Sequence, residues 1–226
     1  VFAEPVTRAV STTTSEELLD LTSIMKASQA ISGEIKLEKL LERLMTIVIE
    51  NAGAQKGFLL LRSGEQLVIK ARGGLASEAL RGDQLLDDCE ELSPAIVNYA
   101  ARAKEMVALD DAGSKGKCPN DPNVKNNRPK SILCAPLLYQ GKLTGVLYLE
   151  NNLTVGAFTA QRLETLNLLC SQAAISIENA RLYQAQEEHA RTLAQKVEER
   201  TSDLKESLEE LRNAQGRLVQ SEKMAA

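Results

Sequence analysis

The residues best placed to do chemistry lie on one stretch, Ser131 to Asn151, SILCAPLLYQGKLTGVLYLEN. Two apolar runs flank Gln140-Gly141, a short glycine-containing turn, so the stretch reads as a β-hairpin. With Gln140 and Gly141 as the only loop residues, Tyr139 opposes Lys142, Leu133 opposes Tyr148 and Ser131 opposes Glu150. Side chains alternate along a strand and opposed residues share a face. One face then carries Ser131, Leu133, Ala135, Leu137, Thr144, Val146, Tyr148 and Glu150. Its mix of apolar and polar groups suits the wall of a small-molecule cavity. Ser131, Leu133, Ala135, Thr144, Val146, Tyr148 and Glu150 are the candidate ligand contacts. The plainer alternative makes Tyr148 part of a filled core and Glu150 a solvated strand end. The other face carries Ile132, Cys134, Leu138, Leu143, Gly145, Leu147 and Leu149, and Gly145 would let a helix approach closely.

Other reactive groups are sparse. Cys89, Cys118, Cys134 and Cys170 show no CxxC spacing. Cys134 and Cys170 sit in apolar patterns, so buried free thiols and a cytoplasmic setting are expected. The one histidine, His189, leaves no material for a multi-histidine metal site or a Ser-His or Cys-His pair. No metal constellation and no phosphate-binding glycine loop is present, so no enzymatic activity is expected of this stretch of chain. Lys115, Lys117, Lys125, Arg128 and Lys130 could hold an anionic ligand, or simply solubilise a loop. The net charge of −4, without a basic block, argues against nucleic acid or a polybasic membrane surface as partner. No apolar run reaches the length of a membrane span, and no secretory signal appears.

The elements that must position these groups follow from the periodicity. Residues 1–14 read as a linker. A helix starts near Ser15 and runs to Ile31, and a second covers Leu37 to Asn51, with Leu40, Leu41, Leu44, Ile47 and Val48 as its stripe and Gly53 closing it. Lys56 to Arg62 and Gln66 to Arg72 are strands. Leu75 to Glu91 is polar and irregular. Ser93 caps a helix that begins at Pro94, with Ile96, Val97 and Tyr99 as its apolar side. A brief strand covers Glu105 to Leu109. Asp110 to Lys130 is a long loop with three prolines, expected to be mobile. After the hairpin, Thr159 opens a long helix, with Phe158 stapled on Leu163. Leu163, Leu166, Cys170, Ala173 and Ile177 form its stripe.

The helical pattern then continues to the chain end. Leu204, Leu208, Leu211, Gln215 and Leu218 form a heptad seam, and the eleven-residue spacing from Leu193 to Leu204, with Val197 between, reads as a stutter. Gln215 at a seam position could fix register and strand number. His189 falls near the seam as a surface histidine or a pH-sensitive dimer contact. The sequence opens on Val1 and stays helical to its last residues, so it is expected to belong to a longer chain.

The segments GKLTGVLYLEN (141–151), AGAQKGFLLL (52–61) and FTAQRLETLNLLCSQAAISIENARLY (158–183) together resemble a GAF domain, over residues 15–183. Residues 184–226 resemble the coiled-coil signalling linker that joins sensor domains to the phosphoacceptor domain of bacterial sensor histidine kinases. The resemblance implies an α+β fold: an antiparallel five- or six-stranded sheet with helices on one face, followed by a long coiled-coil helix. It implies a non-catalytic sensory module of a two-component kinase, with a small-molecule cavity, downstream kinase domains and a homodimer through the terminal helices. Helices Ser15 to Ile31 and Leu163 to Ile177 would extend that contact into a four-helix bundle. The alternatives are a structural dimerisation module without ligand, or a domain that binds a small molecule such as a cyclic nucleotide, whose family signature is absent here. Covalent bilin is not expected, because Pro119 follows Cys118 and no histidine is near; haem is not expected, because His189 lies in the linker.

Overall fold

The computed structural model of the chain describes residues 25–74, 83–111 and 129–225, with only the backbone described at 214 and 218–225. The expected 1–14 linker, the helix start at Ser15 and most of the 110–130 loop lie outside the described residues. So do Cys118, Lys115, Lys117, Lys125, Arg128 and the side chain of Leu218.

The element order follows the periodicity. Helix α1 (25–32) precedes α2 (Leu37–Ala52), which ends at Gly53 with φ 64°, a left-handed position that glycine occupies without strain. Strands β1 (Lys56–Ser63) and β2 (Gln66–Gly74) pair antiparallel. A two-residue β3 (Gln84–Leu85) leads through a 3-10 turn (Leu86–Asp88) to α3 (Pro94–Ala103). The Ser93 hydroxyl caps α3 by accepting the Ile96 N–H. Strands β4 (Val107–Leu109), β5 (Ser131–Tyr139) and β6 (Lys142–Asn151) follow, then α4 (Ala160–Ala225). The six strands form one antiparallel sheet in the order β3-β2-β1-β6-β5-β4.

On one face α1, α2 and the first turns of α4 bury their stripes. Leu40, Leu41, Leu44 and Val48 of α2 meet Leu166, Cys170, Ala173 and Ile177 of α4, with Leu59, Leu61, Leu147 and Leu149 beneath them. Each buried leucine contributes roughly 1.5–3 kcal/mol of transfer free energy, so this layer carries much of the stability. The stripe from Leu163 to Ile177 is therefore spent inside the chain's own core and is not free to build a four-helix bundle with a partner. Ile31 of α1 is fully buried in the same core. Over the opposite face α3 packs Ile96, Val97 and Ala100, and the turn before it Leu86, Cys89 and Leu92, onto Phe58, Ile132, Cys134 and Tyr148. Tyr99, expected on that apolar side, is exposed.

The hairpin turns at Gln140 (φ 49°) and Gly141 (φ 74°), and Tyr139 opposes Lys142 as expected. The register beyond it is different. Leu138 pairs with Leu143 but Leu137 pairs with Gly145, so Thr144 is an extra residue, a β-bulge. Every later pair slips by one: Leu133 opposes Leu149, Cys134 opposes Tyr148, and Ser131 opposes Asn151. A one-residue slip exchanges faces. Val146 and Tyr148 lie on the α3 side and Leu147 and Leu149 on the α2/α4 side, as expected. Leu133, Ala135 and Leu137 point to α2 and α4, whereas Ile132, Cys134 and Leu143 join Tyr148. Gly145 does not meet a helix. A Cβ there would lie 2.3 Å from the Leu60 carbonyl oxygen of β1.

The chain divides into two units, Val1–Arg181 and Leu182–Ala226. Within the second, every described side chain is exposed, Leu204, Leu208 and Leu211 among them at 63%, 56% and 61%. Among the described residues, no helix is long and apolar enough to cross a membrane.

Candidate functional site

Two rows of side chains cross the sheet on the face that α3 covers. Pairing aligns Arg72, Phe58, Tyr148 and Cys134 from β2 to β5, and Gly74, Lys56, Glu150 and Ile132 in the next row. Residues two apart on each strand share a face, so Lys56, Phe58, Arg72, Tyr148 and Glu150 meet. Phe58 is the floor: its ring is fully buried and stands edge-on to Tyr148, centroids 6.2 Å apart. The Lys56 Nζ and the Arg72 guanidinium carbon each lie 5.1 Å from the Phe58 centroid, within cation–π range. Glu91, from the turn that precedes α3, pairs with both cations.

The two carboxyl groups of this cluster behave oppositely. Burial pushes Glu91 up, but its hydrogen bonds and charge contacts with Lys56 and Arg72 outweigh that and hold it below the usual range. Glu150 is almost wholly buried, and the loss of water raises it above the usual carboxylate range despite the Tyr148 bond and the nearby Lys56 charge. The Tyr148 hydroxyl donates to Glu150 Oε1 at 2.9 Å. Burial, then the Glu150 charge, keeps that phenol protonated far above its ordinary value, and a backbone hydrogen bond from Ser93 reaches the same group. Tyr148 thus ties the start of α3 to β6. The row contains no activated nucleophile: burial raises the Cys134 thiol strongly, and Cys170, on the other face, is pushed up to about 12. Among the described residues no group of three or more His, Cys, Asp or Glu could hold a metal ion.

Of the seven residues expected to line a pocket, Val146, Tyr148 and Glu150 come together here. Leu133 and Ala135 lie on the opposite face because of the Thr144 bulge. Thr144 is the bulge residue itself and is buried. Ser131 is a structural knot: its hydroxyl accepts the Ala157 N–H and lies within hydrogen-bond distance of the Asp110 and Thr154 carbonyls. Lys56, Phe58, Arg72 and Glu91 were not anticipated. The alternation in KGF already places Lys56 and Phe58 on one face, but charged residues at strand ends ordinarily read as solvated. An open cleft of about 740 Å³ lies elsewhere, beside Asn51, Asn151, Thr159 and Arg162. Its polar groups are engaged in holding loops: Asn151 Nδ2 donates to the Gly53 carbonyl and Arg162 to the Ala157 carbonyl.

Among the described residues the fold is an antiparallel six-stranded sheet with a helical layer on one face and a short helix over the other, mixed polar face. The chain belongs to the GAF domain family, whose model matches residues 36–177. It is similar to the hybrid signal transduction histidine kinase G of Dictyostelium discoideum, 26% identical over 74% of this chain and 8% of that protein. It is also similar to the peroxide stress-activated histidine kinase mak3 of Schizosaccharomyces pombe, 24% identical over 74% of this chain and 7% of that protein. The chain thus spans less than a tenth of these curated relatives, both of which are eukaryotic rather than bacterial. In fold it matches the GAF domain of an Acinetobacter phosphoenolpyruvate-protein phosphotransferase, with a TM-score of 0.59, 20% identity, and 73% of this chain and 95% of that one covered.

Proposed function

We propose that this chain is a non-catalytic sensory module of a two-component histidine kinase, acting as a homodimer on kinase domains further along the same polypeptide. A signal on the Tyr148 face, or from a domain upstream, would reach those domains through a parallel coiled coil of the α4 helices. The observation that carries this reading is the apolar seam of α4. Leu204, Leu208 and Leu211 repeat at heptad spacing and are more than half exposed, although an amphipathic helix is stable in water mainly when its stripe is covered. A second chain presenting the same seam covers it, with Gln215 as a register-setting position. The stutter between Leu193 and Leu204 supports a switch, since a seam with local register ambiguity has two packings of similar energy.

Sedimentation equilibrium tests the relay. The wild type should be dimeric at micromolar concentration, and changing Leu208 and Leu211 together to Asp should make it monomeric, because ionised carboxylates in the seam cost several kcal/mol. A monomeric wild type, or an equally dimeric variant, removes the basis of the mechanism. A second reading, a dimerisation unit without ligand, is favoured by the tight filling of the α3 side, where Phe58, Leu92, Val97 and Tyr148 are fully buried. Native mass spectrometry separates the two: a copurified small molecule supports the sensor, and its absence across ligand screens supports the structural unit.

A further inference from the structure

The Lys56–Arg72 pair is built for more than the one carboxylate it holds. Glu91 divides its two oxygens, Oε1 to the Arg72 guanidinium and Oε2 to Lys56. The Arg72 Nε is buried and, among the described residues, has no hydrogen-bond partner. Three donor nitrogens thus lie in one cluster, the Lys56 Nζ and the Arg72 Nη2 and Nε, and the Glu91 carboxylate engages only two of them. Guanidinium groups favour anions that take two parallel N–H bonds. Exposure points the same way. The side chains of Lys56 and Arg72 are 29% and 21% exposed, that of Glu91 41%, so the cations belong to the sheet and the carboxylate reaches them from the solvent side. An unengaged donor at a half-buried cation pair matches a group with three acceptor oxygens, which a carboxylate lacks and a phosphoryl group has.

We propose that Lys56 and Arg72 form a receptor for a phosphate group, free or as a phosphomonoester, and that Glu91 occupies it as a built-in surrogate until the ligand displaces it. This rests on the sensory reading above and names its ligand class. It also supplies a moving part. Glu91 lies two residues before Ser93, the cap of α3, and Leu92 between them is fully buried in the α3 layer. Displacing Glu91 loosens the anchor of that turn and changes how α3 sits on Phe58 and Tyr148. Glu150, the other carboxyl group of the cluster, accepts the Tyr148 O–H and stays out of the exchange.

Calorimetric titration of this chain with inorganic phosphate, phenyl phosphate and acetate, at matched ionic strength, tests the proposal. Glu91→Gln removes the competing charge and should bind inorganic phosphate about tenfold more tightly than wild type or better, since a charge-assisted bond no longer has to be broken first. Lys56→Met with Arg72→Met, on either background, should abolish saturable binding, and acetate should bind weakly throughout. A preference for phenyl phosphate assigns a monoester and equal affinities assign free phosphate; both support the receptor. Equal phosphate affinity in wild type and Glu91→Gln, or binding that survives the double cation variant, overturns it. If a variant does not fold by circular dichroism, amide spectra of the wild type decide. Phosphate should shift the resonances of residues 91–93, and no shift against a chloride control overturns the proposal. The dimer equilibrium of the α4 seam is measured without phosphate, so a failed receptor leaves the relay standing and a failed relay leaves the receptor standing.

Discussion

Gly145→Ala probes the bulge that sets the hairpin's faces. A Cβ at this position would lie 2.3 Å from the Leu60 carbonyl oxygen, 2.9 Å from Leu61 Cδ2 and 3.4 Å from the Leu60 carbonyl carbon. Two of those atoms are backbone of β1, which is paired with β6 from Lys56↔Glu150 to Leu61↔Gly145, so no rotamer change relieves them. Restoring ordinary contact means parting β1 from β6 by about 1 Å at the centre of the sheet, where packing density leaves no slack. Overpacking of this kind costs about 1–3 kcal/mol, against a total of roughly 5–15 kcal/mol for a domain. For a body of this size that is a fall in melting temperature of roughly 2–12 °C. Gly33→Ala is the control, since its Cβ would meet only the Gln29 carbonyl at 3.5 Å, and it should stay within about 0.5 kcal/mol of wild type. Thermal and urea melts of the two variants give the comparison. If Gly145→Ala melts with the wild type, the β1–β6 contact described here is wrong, and with it the reason that Leu133 and Ala135 face α2 and α4.

Tyr148→Phe leaves the buried Glu150 carboxyl without its phenol donor and should cost about 1–3 kcal/mol by urea melts at neutral pH; an unchanged midpoint would mean that the Tyr148 hydroxyl contributes nothing to stability. Glu150 is raised in the folded state, so its stabilising contribution is complete below its ordinary value of 4.5 and is lost as pH rises through the folded-state value. Wild type should therefore lose stability relative to Glu150→Gln as pH rises from 4.5, and parallel pH profiles would refute the burial argument. Glu91 is lowered, so its smaller, solvent-screened contribution runs the other way and fades as pH falls through its folded-state value; Glu91→Gln should flatten that acid limb. Ser93→Ala removes the hydroxyl that accepts the Ile96 N–H and should cost about 1 kcal/mol, with faster amide exchange confined to the first turn of α3.

Local chemistry alone determined a good deal of this protein. The 3.6-residue stripe of α2, its stop at Gly53, the Ser93–Pro94 start of α3, the Gln140-Gly141 turn and the uninterrupted helix after Thr159 are all properties of neighbouring residues, and each is legible in the chain. The faces of β6 beyond Thr144 were legible too, because Val146, Leu147, Tyr148 and Leu149 alternate there, whereas Leu143, before the bulge, lies on the side opposite to the expected one. The faces of β5 were not. Nothing in TGV announces that Thr144 is the extra residue, because a bulge is decided by how β1 closes on β6 and by which register buries more apolar surface. The same holds for the charged cluster. Lys56, Arg72 and Glu91 come from three segments, and each alone resembles a solvated strand end or a loop. Lys56 and Phe58 share a face of β1, but only the pairing of β2 with β1 brings Arg72 over the same ring, only the pairing of β1 with β6 adds Tyr148 and Glu150, and only the packing of the turn before α3 brings Glu91 to the cations. Residue type could be read in order along the chain, but proximity across strands depends on long-range pairing, which one-dimensional periodicity does not encode.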